Sequence, residues 1–197
     1  GGFIPVHCAS YCFRNKMGFV RLVGGQFNNH KTGAFTTKIV DKEHPAMQGV
    51  SEFEAWDETY VHSEHGTDRT ILMVREPQGN DDNINEPEPW TWTRTQGKGR
   101  VYYTASGHDQ RVWGQAAFHQ LLKSGILWAI GEERRATYDE FISERTPLRY
   151  EKRDNIPNYE RRPEPLPYQL PLSPDDSLKF TQAPVGWHLE LFASEPD

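Results

Sequence analysis

The chain has 197 residues, a formal net charge of −6 and 12% aromatic residues, which suits one globular domain with an extension, or one domain and part of another. No stretch approaches the ~20 consecutive apolar residues of a membrane-spanning helix. An acidic chain without a basic stripe does not suit nucleic-acid binding either.

Short apolar strands alternate with helical patterns over the first two thirds of the chain. A helix is predicted at 11–23, ending at Gly24, and a second at 110–130, capped by Asp109 and stopped by Gly131. Strands are predicted, in order, at 3–6, 36–40, 52–62, 70–75, 90–95 and 100–106.

This succession is typical of an open α/β sheet, in which ligands bind outside the carboxyl ends of the strands. His7 and His108 each follow a predicted strand, so we expect both at that edge.

The composition changes near residue 132. Nine of the 14 prolines lie at or beyond Pro147, and no glycine occurs between Glu132 and Val185. We therefore predict a folded domain over 1–131, an extended, charged, proline-rich linker over 132–170, and the start of a further domain over 171–197. Because the chain opens on a strand without an initiator Met, we expect a fragment of a longer protein whose first domain is N-terminally truncated.

The junction after the first strand has the character of a nucleophile elbow, a sharp turn that needs small flanking residues. With His7 at the apex the flanks are Pro5 and Ala9, whereas Cys8 at the apex would place the β-branched Val6 in a strained turn. We predict His7 as the apex residue and Cys8 as a buried packing thiol. A purely structural or helix-capping His7 is the alternative.

A second junction, Ser106-Gly107-His108-Asp109, also lies between a strand and a helix. A histidine there suits general acid–base work or metal ligation. Asp109 is either a catalytic acid or only the cap of the following helix.

The strand at 52–62 places Trp56, Glu58 and Tyr60 on one face and Asp57 on the other. A carboxylate between two aromatic rings indicates a sugar-binding pocket. An edge strand with a solvated face is the competing interpretation.

His30 ends a predicted loop that begins at Gly24. His7, His30 and His108, with Glu58, are candidate ligands of a divalent metal ion, although the spacing does not show that they converge.

Several motifs together resemble the ThuA-like (trehalose-utilisation) family over about residues 1–131. They are GFIPVH at 2–7, GGQFNNH at 24–30, HP at 44–45, DETY at 57–60, PWTW at 89–92, GKGRVYYT at 97–104, GHD at 107–109 and ILWAIG at 126–131.

The resemblance implies the flavodoxin-like fold of class I glutamine amidotransferases. In those enzymes a cysteine occupies the elbow, and a histidine with a following acid completes the triad. Here His7 stands at the elbow, with His108 and Asp109 near the other two positions, so glutamine amidotransferase activity is not expected. The family is associated with the use of disaccharides, in particular their oxidised (keto) forms.

The segments 170–179 and 186–196 resemble the opening of the β-propeller in large bacterial membrane-bound, sorbosone-dehydrogenase-like proteins. That resemblance implies neighbouring propeller and haem-binding domains as partners, and a parent protein in the periplasm or cell envelope.

Three functions remain open. The first is an enzyme domain that acts on a carbohydrate through His7 and His108, as acid–base or metal-binding residues, supported by Glu58 and His30. The second is a non-catalytic carbohydrate-binding or scaffold domain that would depend on aromatic side chains. The aromatic residues on which this second function would depend are Trp56, Tyr60, Trp90, Trp92 and Trp113. All of them except Trp92 are also our candidates for substrate contact. The third is a thiol-dependent hydrolase or residual amidotransferase that uses Cys8.

Overall fold

The structure is a computed structural model that describes residues 1–79, 83–143, 145–154, 167–181, 183 and 186–194. The chain divides into two compact units, 1–135 and 136–197.

The first unit is built on a six-stranded mixed sheet with the strand order β1-β6-β5-β4-β2-β3. β1 runs parallel to β6, and the other neighbours pair antiparallel. The predicted α/β fold class is confirmed. The strands are β1 (Gly2–Phe3), β2 (Gln26–Ile39), β3 (Glu54–Ser63), β4 (Thr70–Arg75), β5 (Glu88–Gln96) and β6 (Gly99–Thr104).

The parallel pair determines where the two predicted junctions lie. Beyond β1 the chain continues beside β6, with a parallel bridge between Val6 and Thr104. Because the two strands run in the same direction, the segments that begin at His7 and at Ala105 leave the sheet at the same edge.

β2 is much longer than its predicted five residues. It begins at Gln26 and pairs with β3 over residues 26–36 and with β4 over 37–39. The prediction of a loop from Gly24 to His30 is therefore wrong, because most of that segment belongs to β2. The register shifts between Phe27 and Asn29, so that Asn28 forms a β-bulge.

The helices are shorter than predicted. α1 covers Met17–Val23 and ends at Gly24, whose φ is 91°. The long predicted second helix is two helices, α2 (Gln110–Trp113) and α3 (Ala116–Ile130), because the backbone of Gln115 is extended.

α3 packs on the sheet and completes the core. The hydroxyl of Tyr102 donates to the carbonyl of Leu121, 3.1 Å away. Gly125 lies against the Tyr102 ring so closely that a Cβ there would collide with it. The largest fully buried aromatic side chains of the sheet are Trp90, Trp92, Tyr102 and Tyr103.

The expected extended linker begins instead as a helix, α4 (Glu132–Ser143), none of whose described side chains is buried. Two acidic residues, Glu132 and Glu133, lie in its first turn, where their negative charges interact favourably with the positive end of the helix dipole. The rest of that prediction partly falls on residues 155–166, outside the described residues.

The second unit contains a two-stranded antiparallel ribbon, β7 (Tyr150–Lys152) and β8 (Pro167–Gln169), and the short helix α5 (Pro174–Phe180). The hydroxyl of Ser173 caps α5 by accepting from the N–H of Asp176. None of the helices in the described ranges is long and apolar enough to cross a membrane.

Candidate active site around Glu58

Three histidines from three different segments surround the carboxylate of Glu58 on β3. The Nε2 atom of His7 lies 3.2 Å from Oε2, while the Nε2 atoms of His108 and His30 lie 3.5 and 3.7 Å from Oε1. The structure thus brings together the four residues that the sequence suggested as ligands of one metal ion, although their spacing gave no sign that they converge.

His7 begins a single 3-10 turn, His7–Ser10, and its φ of 48° is left-handed, which is rare for a residue other than glycine. Its ring is buried and lies 4.2 Å from the Tyr60 ring, centroid to centroid. Cys8, the next residue, is exposed, so its prediction as a buried packing thiol is wrong.

The hydrogen bonds of His7 determine where its protons lie. Nδ1 is 2.9 Å from the carbonyl oxygen of Ala105. A carbonyl only accepts, so Nδ1 carries a hydrogen, and the bond between Nε2 and the Glu58 carboxylate requires one further proton. The proton of that bond can reside on either Nε2 of His7 or Oε2 of Glu58.

His108 is positioned through its backbone. The buried carboxylate of Asp57 accepts hydrogen bonds from the backbone N–H groups of Gly107, His108 and Asp109 at 3.0 to 3.2 Å. It also accepts from the N–H of Glu58 at 2.8 Å. The sequence analysis placed Asp57 on the face opposite Glu58 without assigning it a role. No local motif could have revealed that role, because the loop that Asp57 holds is about 50 residues away along the chain.

Asp109 caps α2 and binds Arg111. Its carboxylate accepts from the Arg111 backbone N–H at 2.8 Å and from the guanidinium at 2.6 and 2.8 Å. These bonds lower the pKa of Asp109 to about 2. The carboxyl group consequently has no proton to donate near neutral pH, and the structure favours its role as a cap over that of a catalytic acid.

The aromatic candidates divide into a core residue and residues near the site. Trp90 is fully buried, and its indole N–H donates to the hydroxyl of Ser106. The prediction that Trp90 contacts a substrate is therefore wrong. Trp113 is exposed, and its N–H donates to the carbonyl of Gly107. Trp56 is exposed too, and the guanidinium of Arg111 lies 3.6 Å from the centre of its ring.

Tyr60 is buried between histidines, with its ring 4.2 Å from that of His7 and 5.8 Å from that of His30. Burial, together with the nearby Glu58 carboxylate, raises the pKa of Tyr60 well above its usual range. The phenol therefore stays protonated and acts as a wall of the site.

The metal hypothesis gains no geometric support. Within the part of the chain that the structure describes, no group of three His, Cys, Asp or Glu side chains is arranged to hold a metal ion. The three histidines face a carboxylate that each could hydrogen-bond, and a metal site at His7, His30 and His108 stays a prediction.

Fold and site together define an α/β protein with ionisable side chains at one edge of an open sheet. The profile of the ThuA family, described as trehalose utilisation, matches residues 1–129, and the chain belongs to this family. Comparison with curated proteins gave no match.

Solved structures show the same fold. A ThuA-like protein from Bacteroides uniformis is similar with a TM-score of 0.55 and 23% identity, over 67% of this chain and 59% of that one. A ThuA-like protein from Parabacteroides merdae is similar with a TM-score of 0.54 and 21% identity, over 66% of this chain and 60% of that one. The chain thus spans about three fifths of the length of these relatives.

Proposed function

We propose that this ThuA domain acts on a sugar, with an oxidised (keto) disaccharide as the substrate class, by acid–base chemistry of His7, Glu58 and His108. The observation that carries the proposal is the Glu58 carboxylate lying between the Nε2 atoms of His7 and His108, at 3.2 and 3.5 Å. A buried histidine paired with a partly buried carboxylate, beside an exposed histidine, is suited to moving protons on a bound carbonyl compound.

In the proposed reaction, His108 accepts the proton from the carbon next to the substrate carbonyl. The His7–Glu58 pair gives its shared proton to the carbonyl oxygen, and an enediol results. His108 then gives its proton to the former carbonyl carbon, while the hydroxyl on the carbon that was first deprotonated loses its proton to the His7–Glu58 pair and becomes the new carbonyl, which completes an isomerisation. No redox partner is needed, because no electrons leave the substrate.

The surroundings fit a sugar better than a flat or strongly charged ligand. The exposed side chains of Trp113 and Trp56 offer apolar surfaces, and the carboxylate of Glu58 can accept hydroxyl hydrogen bonds. The scaffold alternative relied on aromatic residues that included the buried Trp90, and no observation favours it.

The test is deuterium incorporation from D₂O into the keto form of trehalose, followed by NMR on the full chain. Wild type should exchange the hydrogen next to the carbonyl faster than buffer alone. Glu58→Gln and His7→Gln should reduce the enzymatic rate by about 10² to 10⁴-fold. His188→Ala is the matched control, because His188 also pairs with a glutamate, Glu190, but on the surface of the second unit. A wild-type rate equal to that of buffer would refute the proposal.

We also infer, from the resemblance of the C-terminal segments alone, that a neighbouring dehydrogenase module oxidises the sugar before this domain receives it. That arrangement requires a parent protein in the periplasm or cell envelope. Fractionation of cells that express the parent protein would contradict this inference if the protein remained in the cytoplasm.

A further inference from the structure

Behind His7 lies a buried chain of polar side chains that the proposed reaction does not use. His62 on β3 is fully buried, and its Nδ1 lies 2.9 Å from a carboxylate oxygen of Glu88 on β5. Its Nε2 lies 3.0 Å from the hydroxyl of Tyr103 on β6. Three strands of the sheet thus contribute one side chain each.

This chain ends on the backbone of His7. The Tyr103 hydroxyl lies 3.0 Å from the carbonyl oxygen of His7 and 2.9 Å from the hydroxyl of Ser10. Ser10 itself donates to the same carbonyl at 3.2 Å. The carbonyl of the residue with the left-handed backbone therefore has two hydroxyl donors within reach.

The number of hydrogens available determines which groups of this network donate and which accept. The Glu88 carboxylate accepts from both the backbone N–H and Nδ1 of His62, so Nδ1 carries a hydrogen. Burial lowers the pKa of His62 and favours its neutral form, which leaves Nε2 as an acceptor for Tyr103. Ser10 then donates to the His7 carbonyl, and if His62 is instead charged, Tyr103 can donate there. Each arrangement keeps a donor on that carbonyl.

We infer that Tyr103, held in place by His62 and Glu88, is a positioning residue for His7. With His62 neutral, Tyr103 acts through the Ser10 hydroxyl, which lies 2.9 Å from its own and donates to the His7 carbonyl; with His62 charged, Tyr103 can donate to that carbonyl itself. Both arrangements stabilise the left-handed turn that points the His7 imidazole at Glu58. A left-handed backbone in a residue with a side chain persists only where its surroundings fix it. That this orientation of His7 matters for catalysis rests on the proposed function. The positioning of His7 by Tyr103 does not depend on the proposed function.

The matched pair of variants is Tyr103→Phe and Tyr102→Phe. Each removes one hydroxyl from a fully buried tyrosine of the same strand, but the hydroxyl of Tyr102 is bonded to Leu121 on α3, remote from His7. Loss of stability alone should thus affect both variants. Only Tyr103→Phe should disturb His7.

The first measurement is an NMR spectrum of histidine imidazoles in the ¹⁵N-labelled full chain, with the His7 signals assigned by their loss in His7→Gln. Tyr103→Phe should shift the His7 Nδ1 and Nε2 signals and their pH titration, and Tyr102→Phe should leave them in place. Unchanged His7 signals in Tyr103→Phe would overturn the inference. If that variant does not fold, Ser10→Ala removes the other donor to the same carbonyl and answers the same question.

The second measurement is the deuterium-exchange assay. Tyr103→Phe should lower kcat about tenfold through misplacement of His7, with KM within about twofold of wild type. Tyr102→Phe should retain kcat. If wild type shows no exchange, the proposed function fails, and the NMR experiment still decides whether Tyr103 positions His7.

Discussion

The two sides of Glu58 differ in how they hold a histidine. On one side His7 has only 6% of its side chain exposed, and its Nδ1, its ring face and its backbone carbonyl all have protein partners. On the other side His108 has 55% of its side chain exposed and is fixed mainly through its backbone N–H. One carboxylate thus serves a rigid, desolvated histidine and a histidine in contact with water.

The difference suggests a division of labour. A histidine that is hydrogen-bonded to a partly buried carboxylate can pass on the proton of that bond without a water molecule as intermediary. An exposed histidine can exchange its proton with water after each turnover. Placing two groups of similar chemistry in contrasting environments is a general way to separate acid and base roles.

The largest expected effect comes from Asp57→Asn, which removes the buried anchor of the exposed side. The amide would point an N–H₂ group at backbone N–H groups that now donate to a carboxylate. We expect the free energy of unfolding to fall by about 3 kcal/mol, measured by urea denaturation. The His108 imidazole signal in NMR should also shift further than that of His7.

Glu54→Gln is the control for this substitution, since Glu54 lies on the same strand with an exposed side chain. Equal stability of Asp57→Asn and Glu54→Gln would contradict the assigned role of Asp57.

A smaller effect is expected for Trp113→Phe, which keeps an aromatic ring against Phe118 and loses the hydrogen bond to the Gly107 carbonyl. Because this bond is exposed, its loss should cost less than about 1 kcal/mol of stability. The deuterium-exchange rate should fall a few-fold, since the loop that carries His108 loosens. Trp187→Phe, at an exposed position of the second unit, should change neither quantity. An exchange rate equal to that of wild type would show that Trp113 does not steady the loop.

The smallest effect concerns pH. The pKa of Asp109 is lowered to about 2 from its ordinary 3.8, so ionisation of this carboxyl group stabilises the folded state above about pH 4. That contribution disappears as the pH falls from about 4 towards 2, when the carboxyl group becomes protonated in the folded state as well. Asp109→Ala should thus be less stable than wild type at pH 6, and the two unfolding midpoints should converge near pH 2. A constant difference over this range would contradict the assignment.

The sequence predicted the elements whose signals are local. β4 has the predicted bounds, and β3 and β6 differ from theirs by two residues or fewer at either end. The first half of β2 carries mostly exposed side chains and therefore lacks the alternation that identifies a strand, since its pairing with β3 alone defines it. The break between α2 and α3 depends on the backbone at Gln115, which has no distinctive residue pattern.

The same distinction applies to the site. Strand-to-helix junctions indicated His7 and His108, because a parallel pair of strands ends at one edge. The roles of Asp57, His62 and Tyr103 were not predictable, since each depends on a partner at least 41 residues away. Trp90 was misassigned because an indole in a strand can face the core or solvent, and only packing decides which.

The β-bulge at Asn28 determines which residues of β2 share a face with the site. Side chains alternate along a strand, yet Phe27 and His30, three positions apart, lie on one face, since Phe27 pairs with His62 and His30 with Tyr60. If β2 paired regularly from Phe27 onward with Asn28 included, Asn29 would stand opposite Tyr60, and His30 would project from the reverse face of the hairpin. The bulge absorbs this one extra residue, so that deletion of Asn28 would make the pairing regular and still leave His30 opposite Tyr60, on the face that carries Glu58.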